Sequence, residues 1–159
     1  MHANAATITM LYQALQAGNA EAMAPLYHPE ATFRDPVFDL TGSDIGDMWR
    51  MFCAAGADLT VEFSNVAADD RWGTARWKAS YTFPPTRRSV HNFIEAGFEF
   101  EDGQIVVHRD CFDLRAWARQ ATGVPGLLLG WTPWMQNRIR QSAADQLKRF
   151  QQRTDPTAT

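Results

Sequence analysis

Residues 92–114 read NFIEAGFEFEDGQIVVHRDCFDL, and this stretch decides the fold. Apolar and polar residues alternate before and after Glu101-Asp102-Gly103, which is the pattern of two half-buried strands joined by a tight turn. We therefore predict a β-hairpin, with a first strand over about residues 90–100 and a second from Gln104 to Asp113.

The length of the turn decides which side chains of this hairpin face inward. A two-residue Asp102-Gly103 turn would place Glu95 opposite Asp110, whereas a three-residue loop would place Glu95 opposite Arg109. Like charges directly opposite each other are destabilising, and opposite charges contribute roughly 0.2–1 kcal/mol. We therefore predict the three-residue loop, in which Gly103 takes the left-handed position of a bulge.

The predicted register turns three polar side chains toward an otherwise apolar face of the sheet: Asn92, His108 and Asp110. Ala96 is predicted opposite His108 and leaves space beside the imidazole. Each of the three polar groups would cost ~1–3 kcal/mol if it were buried without a partner. They therefore either satisfy one another or remain available to a ligand, and both interpretations stay open at this point.

Helices are predicted on the N-terminal side of the hairpin. Apolar residues at positions i, i+3, i+4 and i+7 predict one helix that ends at Gly18 and another over residues 43–55. Asn19 can cap a short helix between them, and residues 31–35 are predicted as a short strand. After Gly56 the apolar period becomes two, which predicts further strands. Helices followed by hairpin-linked strands indicate an α+β fold rather than alternating βαβ units.

The residues after the hairpin are predicted to be mainly helical. Helical character returns at Leu114, a loop rich in Gly and Pro follows, and a last helix carries an apolar stripe from Met135 to Phe150. No internal linker divides the chain. We predict one domain over residues 1–153 and a disordered tail over residues 154–159.

Composition excludes several classes of function. The formal charge of −3 gives no general attraction to nucleic acid, and no stretch reaches the ~20 apolar residues of a membrane-spanning helix. We therefore expect neither a nucleic-acid nor a membrane partner. No targeting signal is recognisable, so a cytoplasmic location is expected. One inward-facing histidine is too few for a typical metal site, and we expect no metal and no cofactor.

Residues 26–36, LYHPEATFRDP, resemble the matching stretch of ketosteroid isomerases and of the wider nuclear transport factor two-like superfamily. With residues 92–114, the chain is most similar to the SnoaL-like proteins of that superfamily. The resemblance implies a cone-shaped α+β barrel: a curved antiparallel sheet and N-terminal helices wrap one pocket, with an added C-terminal helix. It also implies a homodimer and a small apolar or polycyclic ligand.

The resemblance also assigns roles to residues. Asp35 falls where the isomerases keep their proton-shuttling carboxylate, although by pattern alone an Asp before Pro is typical of a turn. Asp110 resembles the general acid/base of the SnoaL-like cyclases. The oxyanion-hole acid of the isomerases falls at Ala96, and their essential tyrosine falls at Leu11, one position from Tyr12. The loss of both donors argues against a steroid isomerase.

The sequence therefore predicts three catalytic residues: Asp35, His108 and Asp110. Eight further side chains are predicted to contact the substrate: Asn92, Tyr12, Tyr27, Trp49, Phe52, Trp77, Phe98 and Phe112. The expected function is a cofactor-independent enzyme that uses acid/base chemistry in an apolar pocket, of the isomerase, cyclase, dehydratase or epoxide hydrolase type. The alternative is a non-catalytic module that binds a small apolar ligand, or a dimeric protein-interaction domain.

Overall fold

Six strands form one curved mixed sheet in this computed structural model, which describes residues 1–155 and 157. The strands are β1 (Tyr27–Arg34), β2 (Asp39–Thr41), β3 (Thr60–Ala68), β4 (Trp72–Phe83), β5 (Arg88–Glu101) and β6 (Gln104–Cys111). Their order across the sheet is β2-β1-β6-β5-β4-β3. Neighbouring strands are antiparallel except β1 and β6, which run parallel. The sheet is open, since β2 and β3 each have one neighbour.

Helices cover one face of the sheet and follow its last strand. They are α1 (Ala3–Gln16), α2 (Ala20–Met23), α3 (Ser43–Ala55), α4 (Leu114–Thr122), α5 (Val124–Leu129) and α6 (Pro133–Thr154), with a 3-10 turn at Ala24–Leu26. Ile8 and Leu11 of α1 and Ile45 of α3 are buried in the core against the sheet. The predicted α+β class is confirmed. No helix among the described residues is long and apolar enough to cross a membrane.

The start of β1 differs from the prediction for a local reason. Asn19 caps α2 as predicted, with its side chain accepting a hydrogen bond from the Ala22 N–H at 3.1 Å. Pro25 then lies in the first turn of a 3-10 helix, where no intrahelical N–H is required of it. That short turn ends early, and β1 therefore begins at Tyr27 rather than at Ala31.

The predicted three-residue loop of the central hairpin is wrong. Glu101 pairs with Gln104, so the turn has two residues, Asp102 and Gly103, with φ angles of 49° and 80°. Two consecutive positive φ angles are typical of a type I′ turn, whose twist matches that of paired strands. The charges of Glu95 and Asp110 do not oppose this turn, because the pairing shifts by one residue further along the strands.

A bulge in β6 then returns the side chains to the inward face predicted from the sequence. Phe100 pairs with Ile105 but Glu99 pairs with Val107, so Val106 is an additional residue on β6. Beyond it, Glu95 lies opposite Cys111 and no longer meets the carboxylate of Asp110.

The bulge also changes which residues lie opposite His108 and Asp110. Ala96 lies opposite Asp110, and Phe98 lies opposite His108, so the space predicted beside the imidazole lies beside Asp110 instead. The observed pairing differs from the predicted one by two residues in total. Because side chains alternate with period two, the same side chains face inward in both.

The segment predicted as a Gly/Pro-rich loop contains a helix, α5. Gly126 makes this helix possible next to α4, because a Cβ at this position would lie 2.0 Å from the carbonyl oxygen of Ala118. The last helix continues to Thr154, one residue past the predicted domain boundary. Of the predicted tail, residues 156, 158 and 159 lie outside the described residues.

Two strand glycines provide a test of this packing. A Cβ at Gly73 on β4 would lie 2.7 Å from Ile8 Cδ1 and 3.0 Å from Phe100 Cε2, whereas a Cβ at Gly97 on β5 meets nothing within 4 Å. We expect Gly73→Ala to lower the free energy of unfolding by ~1–3 kcal/mol through overpacking. Gly97→Ala is the matched control and should leave stability unchanged or raise it slightly. Urea denaturation of both variants measures the difference, and equal effects would contradict this packing.

Candidate functional site

A cavity of about 640 Å³ lies between the inner face of the sheet, α3 and α6. Its walls are mainly apolar and aromatic, with contributions from Trp49 and Phe52 of α3 and from Trp77 of β4. The volume lies within the range of sites that hold drug-sized ligands. Three polar residues predicted from the sequence line it: Asp35, Asn92 and Asp110.

Asp110 is held in the wall of the cavity by its neighbour two residues earlier on β6. His108 Nε2 lies 2.9 Å from Asp110 Oδ1, and the Trp77 indole N–H donates to the same oxygen at 3.4 Å. The other oxygen, Oδ2, has no hydrogen-bond partner among the described residues. Asp110 is 4% exposed and lines the cavity. One oxygen is thus fixed by the protein, and the other is available to a ligand.

His108 is fully buried behind Asp110 and does not line the cavity. Its Nδ1 lies 2.8 Å from the Tyr27 hydroxyl, and that hydroxyl accepts a hydrogen bond from the Trp49 indole N–H at 3.1 Å. Burial raises the pKa of Tyr27 well above its usual range, so the hydroxyl keeps its proton.

This arrangement assigns the tautomer of His108. The indole N–H can only donate, so the Tyr27 hydroxyl proton needs an acceptor, and His108 Nδ1 provides it. The other ring nitrogen, Nε2, then carries the hydrogen and donates it to Asp110. The polar atoms of Trp49, Tyr27 and His108 then all have partners, and the His108 ring orients the Asp110 carboxylate.

Asp35 is the second carboxylate of the cavity and follows β1 directly. Its Oδ1 accepts the backbone N–H groups of Val37 and Phe38 at 2.7 and 2.6 Å, which is the turn geometry expected of Asp before Pro. Oδ2 makes no hydrogen bond within the described part of the chain. Burial raises the pKa of Asp35 to about 6, the two backbone donors oppose this shift, and the charge of Asp110 adds to it.

The structure brings seven of the predicted residues to the cavity: Asp35, Asp110, Asn92, Trp49, Phe52, Trp77 and Phe112. The other four lie behind its wall: His108, Tyr27, Tyr12 and Phe98. The ring of Phe98 packs against His108 with their centroids 4.3 Å apart. Tyr27 and Phe98 thus hold His108 in place and are not positioned to contact a ligand in the cavity.

Tyr12 has an unusual environment. It is completely buried among Phe63, Trp77 and Phe98, and its hydroxyl is the only fully buried side-chain polar atom without a partner among the described residues. Burial is the main cause that raises the pKa of this phenol well above its usual range, and the charge of Asp110 adds to the shift. Its hydroxyl thus stays protonated and lies within electrostatic range of the carboxylate.

The last helix forms one wall of the cavity, whereas its sequence left open whether it covers the pocket mouth or extends a dimer contact. Met135, Ile139 and Ala143 of α6 line it, together with Arg138. The first three belong to the apolar stripe predicted for the last helix, so the signal was present, but the pattern does not say what a stripe covers. The structure thus places α6 over the cavity.

The polar groups do not assemble a recognisable metal site. No group of three or more His, Cys, Asp or Glu side chains in the described part of the chain is arranged to hold a metal ion. The chemistry that the side chains themselves offer is proton transfer and hydrogen bonding.

A model of the SnoaL-like domain matches residues 8–108, which is more than half of the chain. The chain belongs to the SnoaL-like family. The matched part of this SnoaL-like protein runs from α1 to His108 on β6. Asp110 and the helices α4 to α6 lie beyond it.

Solved structures share the fold of this SnoaL-like protein. IdmH from Streptomyces antibioticus, provisionally assigned as a polyketide cyclase, has a TM-score of 0.63 and 22% identity over 75% of this chain and 98% of that one. An LEH-like epoxide hydrolase of M. tuberculosis has a TM-score of 0.61 and 17% identity over 79% and 92% of the two chains. At these identities the similarity shows the fold alone.

A third structure, that of TerC, contains a small molecule. TerC was co-crystallised with polyporic acid and has a TM-score of 0.64 and 12% identity over 76% of this chain and 98% of that one. No curated protein matches this SnoaL-like chain significantly. The comparisons thus support a fold used by small-molecule enzymes and indicate no specific reaction.

Two tyrosines of this SnoaL-like protein provide a matched test of the buried network. Tyr27→Phe leaves the Trp49 N–H and His108 Nδ1 without partners and should lower the free energy of unfolding by ~1–3 kcal/mol. Tyr12→Phe removes a hydroxyl that has no partner among the described residues, so we expect unchanged or slightly higher stability. Urea denaturation distinguishes them, and equal losses would show that the Tyr12 hydroxyl has a partner in solution.

Proposed function

We propose that this SnoaL-like protein is a cofactor-independent enzyme that moves protons on a small, largely apolar molecule. The observation that carries the proposal is the pair of carboxylates, Asp35 and Asp110, in the wall of one apolar cavity. In each of them Oδ1 is held by N–H donors and Oδ2 is left without a protein partner. Two carboxylates in different environments can act as the acid and the base of one reaction.

The surroundings of the two carboxylates support different roles. Asp110 accepts from His108 and Trp77 at one oxygen, which favours it as the general base. Asp35, with its pKa raised to about 6 by burial, keeps a protonated fraction near neutral pH and is proposed as the general acid. Asn92 would donate a hydrogen bond to a substrate oxygen.

His108 is proposed as a positioning residue rather than a catalytic one. It has no access to the cavity, and it acts on the substrate only through Asp110. This narrows the role predicted from the sequence, where His108 was expected either to be a second acid/base or to orient Asp110. Isomerisation, aldol-type cyclisation, dehydration and epoxide opening all need an acid and a base and remain within the proposal.

The second candidate is a module that binds an apolar ligand without chemistry. The observation that favours it is the buried network of Trp49, Tyr27, His108 and Asp110, since hydrogen-bonded polar clusters also occur for structural reasons. Asn92 is not part of that network, and Oδ2 of both carboxylates stays open. These open groups favour the enzyme.

Homodimer formation and a cytoplasmic location stay predictions. Phe93 is 70% exposed on the outer face of the sheet, and Cys111 is exposed there too. A self-association surface at this face would leave the cavity, on the inner face, unobstructed.

Proton abstraction can be tested before the natural substrate is known. Small cyclic ketones and β-diketones incubated with the protein in D₂O should exchange the hydrogen next to the carbonyl, as measured by proton NMR. Asp110→Asn should reduce the protein-dependent exchange by ~10²–10⁴-fold, since this is the typical contribution of a general base. His108→Gln should reduce it less, because the carboxylate remains.

The control for this experiment is Asp39→Asn. Asp39 is an exposed carboxylate on β2 that pairs with Arg34, so its loss should not change the exchange rate. If Asp110→Asn exchanges as fast as the unaltered protein on every ketone that responds, Asp110 is not the base.

The rate should also depend on pH through Asp35. As the pH rises through about 6, Asp35 ionises and the general acid is lost, so kcat/KM should fall over this range. Asp35→Asn should be slow and lack this fall. The measurement is the pH profile of the exchange reaction for both proteins.

The titration of Asp35 can also be measured without a substrate. Its pKa in the fold, about 6, lies above its ordinary value of 3.8, so the folded state binds more protons than the unfolded state between these values. The free energy of unfolding should therefore fall as the pH rises across this window, and less so in Asp35→Asn. An NMR titration that places the Asp35 carboxyl near 4 would remove it as the acid.

A further inference from the structure

The segment from α5 to the start of α6 exposes an unusual number of large apolar side chains. Six of them are between 41% and 66% exposed: Val124, Leu127, Leu128, Leu129, Trp131 and Trp134. Val124, Leu127, Leu128 and Trp131 follow the helical spacing i, i+3, i+4, i+7, and the Trp131 indole folds back to donate to the Leu128 carbonyl at 3.0 Å. We call these four residues the α5 apolar face.

The α5 apolar face cannot turn inward, because the opposite side of α5 is fixed against α4. Gly126 and Gly130 lie on that side, and a Cβ on them would lie 2.0 Å from the Ala118 oxygen and 3.2 Å from the Ala118 Cβ, respectively. The close contact of α5 with α4 therefore uses the glycines and directs the leucines to solvent. An exposed apolar surface of this kind marks an interaction site.

Charge is distributed very unevenly around this segment. Residues 114–154 carry seven Lys or Arg and one Asp, whereas residues 1–113 carry eight Lys or Arg and sixteen Asp or Glu. No acidic residue occurs between Leu114 and Ala144. The overall charge of −3 thus conceals a cationic helical region on an otherwise anionic protein.

Arginines lie directly beside the apolar side chains. A second cavity, of about 290 Å³, is lined by Arg115, Arg119 and Leu127, together with Asp113 and Ala116. Asp113 caps α4, and its Oδ1 accepts from the Ala116 N–H at 3.0 Å. On the other side, the Arg138 guanidinium lies 5.7 Å from the centroid of the Trp134 ring.

We propose that the α5 apolar face docks on the surface of a bilayer that contains anionic phospholipids. Leucine and tryptophan side chains partition into the headgroup and acyl boundary, and neighbouring arginines bind the lipid phosphates. The helix would lie on the bilayer and not cross it. The expectation of no membrane partner rested on the absence of a membrane-spanning segment, and a helix that docks on the bilayer surface does not need to span it.

A second copy of the chain fits this surface less well. In a symmetric dimer the same patch meets itself, so Arg115 and Arg119 of one copy would approach those of the other. The helices α4 and α5 carry no acidic residue that would offset this repulsion, and only Asp113 at the start of α4 lies nearby. Anionic lipid supplies the complementary charge that a second copy lacks.

The position of the patch relative to the main cavity agrees with the proposal. Trp134 is followed by Met135, which lines the cavity, and Arg138 both contacts Trp134 and lines the cavity. Docking here would bring the cavity close to a source of apolar molecules. The docking proposal does not depend on whether the cavity is catalytic.

The test is co-sedimentation of the full chain with vesicles. We expect binding to vesicles of phosphatidylcholine and phosphatidylglycerol in equal parts, weaker binding to pure phosphatidylcholine, and a loss of binding as salt is raised. The double variant Leu127→Ser with Leu128→Ser should reduce binding to the mixed vesicles by at least about tenfold. Arg115→Gln with Arg119→Gln should reduce it by about tenfold and leave binding to pure phosphatidylcholine unchanged.

Met10→Ser is the matched control. Met10 is 49% exposed on α1, away from α5 in the sequence, and its loss should leave vesicle binding unchanged. Circular dichroism checks that each variant is folded, which is expected because all the altered side chains are exposed.

Three outcomes would overturn the proposal. The first is that the unaltered chain binds neither vesicle. The second is that the leucine variant binds as well as the unaltered chain. The third is that the chain is an oligomer by light scattering and the leucine variant is a monomer, which would assign the α5 apolar face to a second copy.

Discussion

The hydrogen bond between His108 and Asp110 is the interaction on which the rest of the site depends. A carboxylate in an apolar wall is costly unless donors stabilise it, and a buried imidazole has the same requirement. The partners come from different elements: Tyr27 from β1, Trp49 from α3 and Trp77 from β4. The network therefore fixes the position of α3 over the sheet as well as the orientation of the carboxylate.

The two carboxylates of the cavity are held in the same way, although by different donors. The framework holds Oδ1 of Asp35 and Oδ1 of Asp110 and leaves Oδ2 of each to the cavity. The remainder of the cavity is mainly apolar, so in the proposed enzyme the shape of the cavity would select the ligand and the two carboxylates would supply the proton transfers. The fold by itself does not specify the reaction.

The fold class and most of the site were predictable because they depend on periodicity. The inward positions of Asn92, His108 and Asp110 follow from alternation in β5 and β6, which a register error of two residues leaves unchanged. Pairing partners were not predictable, since no glycine or other turn residue marks the bulge at Val106 in the sequence. The depth of His108 and the outward face of α5 depend on packing between distant segments, which a sequence pattern does not encode.

The bulge at Val106 has a consequence for how this hairpin can vary in length. A two-residue turn and one additional residue on β6 together keep His108 and Asp110 on the inner face. Deletion of Val106 alone, or insertion of a single residue in the turn, would exchange inside for outside along the whole of β6 beyond that point. A length change of one residue in this hairpin is therefore tolerated only when a second one-residue change compensates for it. A related sequence with a turn one residue longer should have lost the bulge.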